Sequence, residues 1–232
     1  MRLIPVLLLS AALLLSGCAS KHLIKAARVG DYNSVQKLVD EGDDVNQRGS
    51  KGTTPLHSAA ISGNINIVKY LVLKGAKVDA VDDDNCRPLY YASILGNLPV
   101  VKFLVENGAD VNSVNKGGST CLEVASIEKG RDDLLKYLIA KGANVNSTND
   151  NGSTPLHQAA KSRSASMIKI LLMNGAKIDA RIKSSGWTPL HVAAYGNHVE
   201  SVNALMKNGA DGSIVSTDQV KVTAFQLAIF KG

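Results

Sequence analysis

Apolar positions recur along the chain with the spacing of helices, and each apolar run ends at a glycine. In one run Ile67, Val68, Leu71 and Val72 fall on a single face of a helix. Glycine can adopt the left-handed conformation that ends a helix. The pattern therefore predicts six helices, each with a leucine four residues before a closing glycine. These leucine–glycine pairs are Leu38 and Gly42, Leu71 and Gly75, Leu104 and Gly108, Leu138 and Gly142, Leu171 and Gly175, and Leu205 and Gly209.

A second pattern keeps the same period. Residues 52–60 read Gly-Thr-Thr-Pro-Leu-His-Ser-Ala-Ala, and the position of the proline returns after 33, 33, 34 and 34 residues, with a degenerate further copy near Thr223. Threonine caps a helix, proline suits its first turn, and paired alanines allow close helix packing. We therefore expect a short first helix in every repeat. The recurring positions are Pro55, Pro88, Cys121, Pro155 and Pro189.

The period of 33 or 34 residues and the Thr-Pro-Leu-His tetrad together resemble the ankyrin repeats over roughly residues 20–232. The resemblance implies an all-α solenoid of about six repeats, with stacked helix pairs joined by β-turn loops, that acts by binding another protein. It also implies structural roles for the tetrads. Their residues are Thr54, Pro55, Leu56 and His57; Thr154, Pro155, Leu156 and His157; and Thr188, Pro189, Leu190 and His191. The predicted repeats are about 20–48, 49–81, 82–114, 115–148, 149–182 and 183–215, with a partial repeat at 216–232, and the repeat domain is 22–232.

The N-terminus has the pattern of an export signal. A basic start is followed by an apolar stretch over residues 3–15, too short to be a stable membrane span. The tetrad Leu15-Ser16-Gly17-Cys18 resembles a bacterial lipobox, which implies a signal peptide at 1–17, lipid on Cys18 and a short tether at 18–21. An ordinary signal peptide with a coincidental cysteine is the alternative. Because Ala19 is not Asp, the resemblance implies an outer-membrane lipoprotein that faces the periplasm.

Composition narrows the class of partner. The 232 residues are 45% hydrophobic but only 4% aromatic, so we expect an aliphatic, alanine-rich core. A net charge of +6 suits an acidic partner or an anionic membrane surface. No run of Lys and Arg is interleaved with aromatic residues, which argues against nucleic acid. We expect a monomer apart from its protein partner.

Candidate chemistry is sparse. The tetrad histidines lie too far apart in stacked repeats to share a metal ion, and His22 and His198 are expected at the surface without partners. Cys86 and Cys121 are expected to remain thiols because neighbouring repeats are spaced too widely for a disulfide. Residues 82–85, Asp-Asp-Asp-Asn, lack the spacing of a calcium loop and are interpreted as a solvated turn. We predict no enzyme activity, no cofactor and no metal.

The resemblance also places the partner-binding surface, on turn tips and exposed sides of first helices. Apolar and aromatic groups there mark a binding site, and Trp187 is the leading candidate because other repeats carry small residues at its position. The predicted partner-binding residues are Asp83, Asp84, Tyr91, Ile94, Leu95, Val124, Ile127, Trp187 and Tyr195. Other positions predicted on the same face are Ser50, Lys51, Ser58, Ile61, Lys116, Asp150, Asn151, Gln158, Lys161, Ser184, Ser185 and Val192.

Two regions depart from the repeat pattern. In residues 115–148, Cys121 replaces proline, Glu123 replaces histidine and one extra residue precedes the second helix, so we expect a bulge near Lys129, Gly130 and Arg131. The last repeat stops after its first helix, over residues 222–230. That end is a compact hydrophobic cap, a docking surface or a truncation, and the sequence favours the cap.

These observations leave two functional hypotheses open. The first is an immunity protein that inhibits a secreted antibacterial effector, such as a lipase or a cell-wall hydrolase, reaching the periplasm. The second is an envelope scaffold or stress factor that stabilises or localises a periplasmic enzyme. Both act by stoichiometric binding, and the sequence does not choose between them.

Overall fold

A computed structural model describes residues 22–231, with side chains up to residue 229, so the predicted leader and Cys18 lie outside the described residues. The described part is helical, and its only β-pairing consists of isolated bridges at Val114–Thr120 and Val215–Thr223. Helix α1 covers residues 22–29. The other α-helices are α2 Tyr32–Asp40, α3 Pro55–Ser62, α4 Ile65–Leu73, α5 Pro88–Ile94, α6 Leu98–Glu106, α7 Cys121–Ala125, α8 Asp132–Ala140, α9 Pro155–Lys161, α10 Ala165–Met173, α11 Pro189–Tyr195, α12 Val199–Lys207 and α13 Ala224–Lys231.

The chain divides into two compact units. Within the described residues, unit 1 comprises residues 22–92 and 99–109, and unit 2 comprises residues 93–98 and 110–231. In unit 1, α4 packs against α2 and α3. In unit 2, α9 packs against α7, α10 and α11, while α11 also contacts α12 and α13. Each unit is thus a set of short helices in contact with their neighbours along the chain.

The first helix of a repeat begins at a threonine because the tetrad satisfies its free backbone groups. Thr54 Oγ accepts from the His57 backbone N–H, and the Thr54 N–H donates to His57 Nδ1 at 3.1 Å. Since Nδ1 accepts, the proton of the neutral ring lies on Nε2, which donates to the Cys86 carbonyl at 3.1 Å. Thr154 and Thr188 form the same capping box with His157 and His191. In all three tetrads the threonine and the histidine thus cap the first helix of the repeat.

The second helix of a repeat ends at a glycine for a conformational reason. After α4, the Gly75 N–H bonds to the Val72 carbonyl and the Ala76 N–H to the Leu71 carbonyl, which closes the end of the helix. Gly75 has φ of +91°, and a Cβ there would meet nothing within 4 Å. Backbone conformation, rather than space, therefore selects glycine. All six predicted helix-ending glycines have positive φ.

Asparagine side chains join successive repeat ends. In unit 1 the Asn46 amide donates to the Gly75 carbonyl at 2.9 Å and accepts from the Lys77 N–H at 2.8 Å. In unit 2 Asn146 makes the same pair of bonds to Gly175 and Lys177. A carboxamide has both a donor and an acceptor, so one side chain satisfies two backbone groups of the next repeat.

The core is aliphatic, as the composition predicted. The largest fully buried side chains are leucine, isoleucine and methionine. Paired alanines such as Ala59 and Ala60 are fully buried where helices approach closely. The largest fully buried side chains are Leu23, Leu56, Ile67, Leu71, Leu89 and Leu104 in unit 1, and Leu122, Leu135, Leu138, Leu156, Met167 and Ile168 in unit 2.

The expected bulge in residues 115–148 is only partly present. Helix α7 is short, and Lys129 and Gly130 are exposed after it. Arg131, however, folds back within unit 2: its guanidinium donates to the Ser93 carbonyl at 3.3 Å and pairs with Glu128. Its side chain is only 11% exposed. The extra residue is therefore accommodated by an exposed loop whose last residue, Arg131, is held by these two contacts.

The final helix supports the cap interpretation at one position. In α13 Leu227 is 8% exposed, whereas Phe225 is 53% and Ile229 is 79% exposed. Its contacts with α11 cover one side of the last complete helix pair. The other side of α13 presents apolar groups to solvent, so it is not a fully covered cap.

Candidate partner-binding grooves

Unit 2 contains a groove of about 500 Å³ around Trp187, here called the aromatic groove. Its lining combines apolar and aromatic side chains with amide, hydroxyl and amine groups. Such a mixture of apolar surface and a few polar groups is typical of binding sites. Its lining residues are Ser153, His157, Gln158, Lys161, Ile182, Trp187, Val192, Tyr195, Gly196 and His198.

Trp187 is held in a fixed orientation. Its indole Nε1–H donates to Asp218 Oδ2 at 2.9 Å, and its ring stacks on His191 with 6.3 Å between centroids. Tyr195 lies 5.1 Å from it and is 48% exposed. Hydrogen bonds from Ser216 and Trp187 lower the pKa of Asp218, so the carboxylate stays ionised and able to accept. A rigid aromatic pair is thereby presented at the surface.

A buried carboxylate orients the polar side of the aromatic groove. Glu123 is only 3% exposed, and its Oε1 accepts from Asn149 Nδ2 at 2.7 Å and Gln158 Nε2 at 3.2 Å. Burial raises the pKa of Glu123, although these hydrogen bonds oppose the rise. Because a carboxylate only accepts, the Gln158 amide nitrogen must face Glu123. Gln158 therefore directs its carbonyl oxygen away from Glu123, as an acceptor.

His157 connects the aromatic groove to the repeat scaffold. Its Nδ1 accepts from the Thr154 N–H, and its Nε2–H donates to the carbonyl of Trp187 at 3.1 Å. Burial lowers the pKa of His157 to about 4, because the low-dielectric interior disfavours the charged ring. His157 is thus neutral at pH 7, which its two hydrogen bonds require.

Unit 1 contains a different groove, of about 560 Å³, here called the cationic groove. Its rim carries Lys25 and Arg28 from α1 and Lys51 from the turn before α3, and all three are exposed. Asp84 is its one acidic residue. The complete lining is Ile24, Lys25, Arg28, Gly49, Ser50, Lys51, Thr53, Ile61, Asp84 and Tyr91.

Tyr91 in the cationic groove is fixed by a buried aspartate. Its hydroxyl donates to Asp82 Oδ2 at 2.6 Å, while Asp82 Oδ1 accepts from the N–H groups of Asp84 and Cys86 at 2.9 Å. Burial and this carboxylate raise the pKa of Tyr91. Asp82 is 6% exposed, so the expectation of a wholly solvated turn over residues 82–85 is wrong at its first residue.

The other predicted partner-binding residues are not equally available. Val124 is 3% exposed and packs in the core of unit 2, so its predicted place on the exposed binding face is wrong. The same prediction is wrong for Ser58 in unit 1, which is 1% exposed. Leu95 is 48% and Ile127 42% exposed, and Ile94 is partly buried. Asp83 and Asp84 are exposed, with Asp83 3.5 Å from Arg48. These residues remain predicted contacts.

Several contributors were not predicted. Asp218 lies far along the chain from Trp187, and no local pattern connects them. His198 was expected to lack a partner, but its Nδ1 lies 3.1 Å from the Ala160 carbonyl and it lines the aromatic groove. Lys25 and Arg28 were not predicted as surface contacts, because the repeat of residues 20–48 lacks the tetrad. Their i, i+3 spacing on α1 was the available signal.

The remaining chemistry is limited. Cys86 and Cys121 are buried thiols, as predicted. Among the described residues, no group of three or more His, Cys, Asp or Glu side chains could hold a metal ion. No helix in residues 22–231 is both long and apolar enough to cross a membrane.

Comparison with known proteins establishes the family. A model described as "Ankyrin repeats (3 copies)" matches residues 23–115 and again 120–216, so the chain belongs to the ankyrin repeat family and is an all-α ankyrin solenoid. The human ASB11 ankyrin repeat domain is similar in structure, with a TM-score of 0.77 and 27% identity over 89% of this chain and 90% of that chain. A search of curated proteins gave no match. Since 651 solved chains match, the fold itself does not select a partner.

Ankyrin repeats mediate binding to other proteins and are typically non-enzymatic scaffolds. The family therefore supports the protein-binding class that the sequence predicted. Which surface binds, and what it binds, depends on the residues particular to this chain.

Proposed function

We propose that this protein binds a segment of another protein in the aromatic groove and is held at the periplasmic face of the outer membrane by lipid on Cys18. The observation that carries the binding proposal is the immobilised, partly exposed pair of Trp187 and Tyr195. Tryptophan and tyrosine are enriched among residues that dominate binding energy. A side chain already fixed by Asp218 loses little conformational freedom on binding.

The polar side of the groove indicates how such a segment would be recognised. Gln158 offers a carbonyl oxygen whose direction is set by Glu123, which suits a backbone N–H of an extended chain. Lys161 is exposed beside it and can meet a carboxylate or a carbonyl. An extended segment with an apolar side chain against Trp187 contacts both the aromatic and the polar groups.

The role we propose for this binding is that of an immunity protein, which inhibits a secreted hydrolase acting in the periplasm. A membrane tether would keep the inhibitor in the compartment that such an effector enters. This step rests on the predicted export signal and on the binding class of the fold. A scaffold for a resident envelope enzyme is the competing role.

The test uses the chain from residue 19 onward, which contains every described residue, to capture proteins from the source organism's lysate and secretions. Trp187→Ala should weaken the captured complex by at least about 30-fold, equivalent to about 2 kcal/mol. Met173→Ala is the matched control, since Met173 is 77% exposed and lies outside the groove. Equal retention by both variants would refute the groove as the binding site.

The captured protein decides between roles. A secreted hydrolase that loses activity at one-to-one stoichiometry, and whose toxicity is relieved by this chain, supports the immunity role. A resident envelope enzyme that stays active in the complex supports the scaffold instead. Separately, Cys18→Ser should move the protein out of the membrane fraction, and unchanged fractionation would contradict the lipid tether.

A further inference from the structure

We propose that the cationic groove of unit 1 is a second binding site, which takes an acidic segment of a partner protein. Lys25, Arg28 and Lys51 all line this groove and are exposed. The ion pairs found among the described residues involve none of these three cations. Asp84 is the only carboxylate in the lining, so the groove has an excess of positive charge.

The backbone at Lys51 fixes the position from which its side chain extends. Lys51 has φ of 57° and ψ of 28°, the left-handed conformation that a residue with a Cβ adopts at a cost of about 1 kcal/mol. Glycine or asparagine would fit this turn with less strain. The conformation is held because the Lys51 carbonyl accepts from the Asp83 N–H at 2.9 Å. Arg163 and Lys221 have similar positive φ values, so the conformation alone does not mark a site, but at Lys51 it holds a residue that lines the groove.

The form of the groove favours a peptide over a membrane surface. Ile24, Ile61 and Tyr91 give it an apolar floor below the charged rim. Tyr91 cannot swing to fill the space, because its hydroxyl is bonded to Asp82 at 2.6 Å. A flat layer of anionic headgroups reaches the rim but not the floor. An acidic segment with one aliphatic or aromatic side chain contacts both.

The charge of the whole chain points in the same direction. At a net charge of +6, an acidic segment is attracted at a distance, and the exposed rim then determines where it binds. Interactions between exposed charges are screened by salt, with a Debye length of about 10 Å at 0.1 M. Binding to this site should therefore weaken strongly with ionic strength, whereas binding to the aromatic groove should not.

The experiment uses the chain from residue 19 onward and three labelled peptides of equal length. Each has a central leucine flanked by four Glu, four Gln or four Lys residues, and fluorescence anisotropy measures binding at 50 and 300 mM NaCl. We expect the Glu peptide to bind more than about tenfold more tightly than the Gln peptide, and to lose most of that advantage at high salt. Lys51→Glu or Lys25→Glu should weaken it about threefold to tenfold.

Controls separate this site from general charge and from the aromatic groove. Lys77→Glu reverses another exposed lysine outside the groove and should change affinity less than twofold. Lys51→Asn removes the charge while keeping a residue that tolerates the left-handed turn, so it should also weaken binding without loss of thermal stability. Trp187→Ala should leave Glu-peptide binding intact, so failure here and failure of the proposed function are distinguishable.

Three results would overturn the proposal. The first is equal affinity for the Glu and Gln peptides. The second is an equal effect of Lys77→Glu and Lys51→Glu, which would indicate attraction by net charge alone. The third is that the protein binds vesicles containing phosphatidylglycerol but not the Glu peptide, and that Lys25→Glu abolishes the vesicle binding. This result would identify the rim as a membrane contact.

Discussion

In both the cationic and the aromatic groove a carboxylate fixes an aromatic side chain, but the two carboxylates differ in how far along the chain they lie from that side chain. In each, an aromatic side chain donates a hydrogen bond to a carboxylate: Tyr91 to Asp82 at 2.6 Å and Trp187 to Asp218 at 2.9 Å. Asp82 is buried in the turn just before Tyr91, whereas Asp218 belongs to the following repeat and is partly exposed. The orientation of Tyr91 is therefore set within one repeat, whereas that of Trp187 requires the next repeat to be folded.

The grooves also differ in what supports their polar groups. Exposed lysines and an arginine form the rim of the cationic groove, so their replacement should affect binding more than stability. In the aromatic groove the supports, Glu123 and His157, are buried. Changes to those supports should alter stability and pH dependence as well as the groove.

The largest effect expected is for His157→Ala. The change removes a capping partner of Thr154 and the bond to the Trp187 carbonyl, leaving buried groups unpaired. We expect a loss of about 3–4 kcal/mol in the free energy of unfolding, measured in urea. The exposed His22 provides the control, His22→Ala, which should cost less than about 0.5 kcal/mol. Similar losses for both would show that the bond to Trp187 does not support the fold.

Acidification should act on the same residue, because the Nδ1 of protonated His157 can no longer accept from the Thr154 N–H. The pKa of His157 is lowered from 6.5 to about 4, so the unfolded chain binds the proton more readily. The stability due to neutral His157 is complete above pH 6.5 and is lost progressively as pH falls from 6.5 to 4, with a total on the order of 3 kcal/mol. Trp187 is the single tryptophan, so its emission during urea unfolding reports the change. Burial also lowers the pKa values of His57 and His191, which are present in both proteins, so an equal pH dependence in the wild type and in His157→Ala would contradict this assignment.

A smaller effect is expected for the support of the cationic groove. Tyr91→Phe leaves Asp82 Oδ2 without its hydroxyl donor and should destabilise the chain by about 1–2 kcal/mol. The control is Tyr195→Phe in the aromatic groove, where the residue is 48% exposed, and we expect a change below about 0.5 kcal/mol. Thermal unfolding followed by circular dichroism compares the two, and a larger loss for Tyr195→Phe would reverse the comparison.

The smallest effect expected is a gain in stability from Glu123→Gln. The pKa of Glu123 is raised above 4.5 by burial, so the folded state binds the proton more tightly and stability falls as pH rises above 4.5. A neutral isostere keeps an acceptor for Asn149 and Gln158, and should add about 1 kcal/mol at pH 7. Urea unfolding at pH 5 and 7 should show the gain shrinking at pH 5. A gain that grows at pH 5 would have the wrong sign.

The sequence predicted the repeats well because their rules are local. A threonine three residues before a histidine, or a leucine four residues before a glycine, sets a helix end through neighbouring backbone groups. The asparagine bonds between repeat ends were not predicted, although Asn46, Asn112 and Asn146 each stand four residues after a helix-ending glycine. Their partners lie about thirty residues away, at Gly75, Gly142 and Gly175.

The grooves were predicted only in part. Tyr91, Trp187 and Tyr195 were identified because aromatic groups at expected surface positions mark binding sites, and Trp187 also stands where other repeats carry small residues. Val124 was misplaced, and so was Ser58, which stands at the equivalent position of an earlier repeat; both are buried, so the positions carried over from repeat to repeat are not equally exposed. The carboxylates that orient the aromatic groups could not be found, since an aspartate in a turn has the same sequence signature whether it faces solvent or an indole.

The asparagine bonds between repeat ends also bear on how the molecule can change length. Each asparagine donates to a glycine carbonyl at the end of the next repeat, at distances between 2.8 and 3.0 Å. The joints are not all alike, since Asp79 and Asp179 stand at the corresponding positions of two other repeats, and a carboxylate cannot donate to a glycine carbonyl. Duplication or deletion of one whole repeat would therefore preserve this joint only where asparagine stands at the repeat end that remains. Removal of residues 115–148 would also discard Glu123, which accepts from Gln158 in the next repeat.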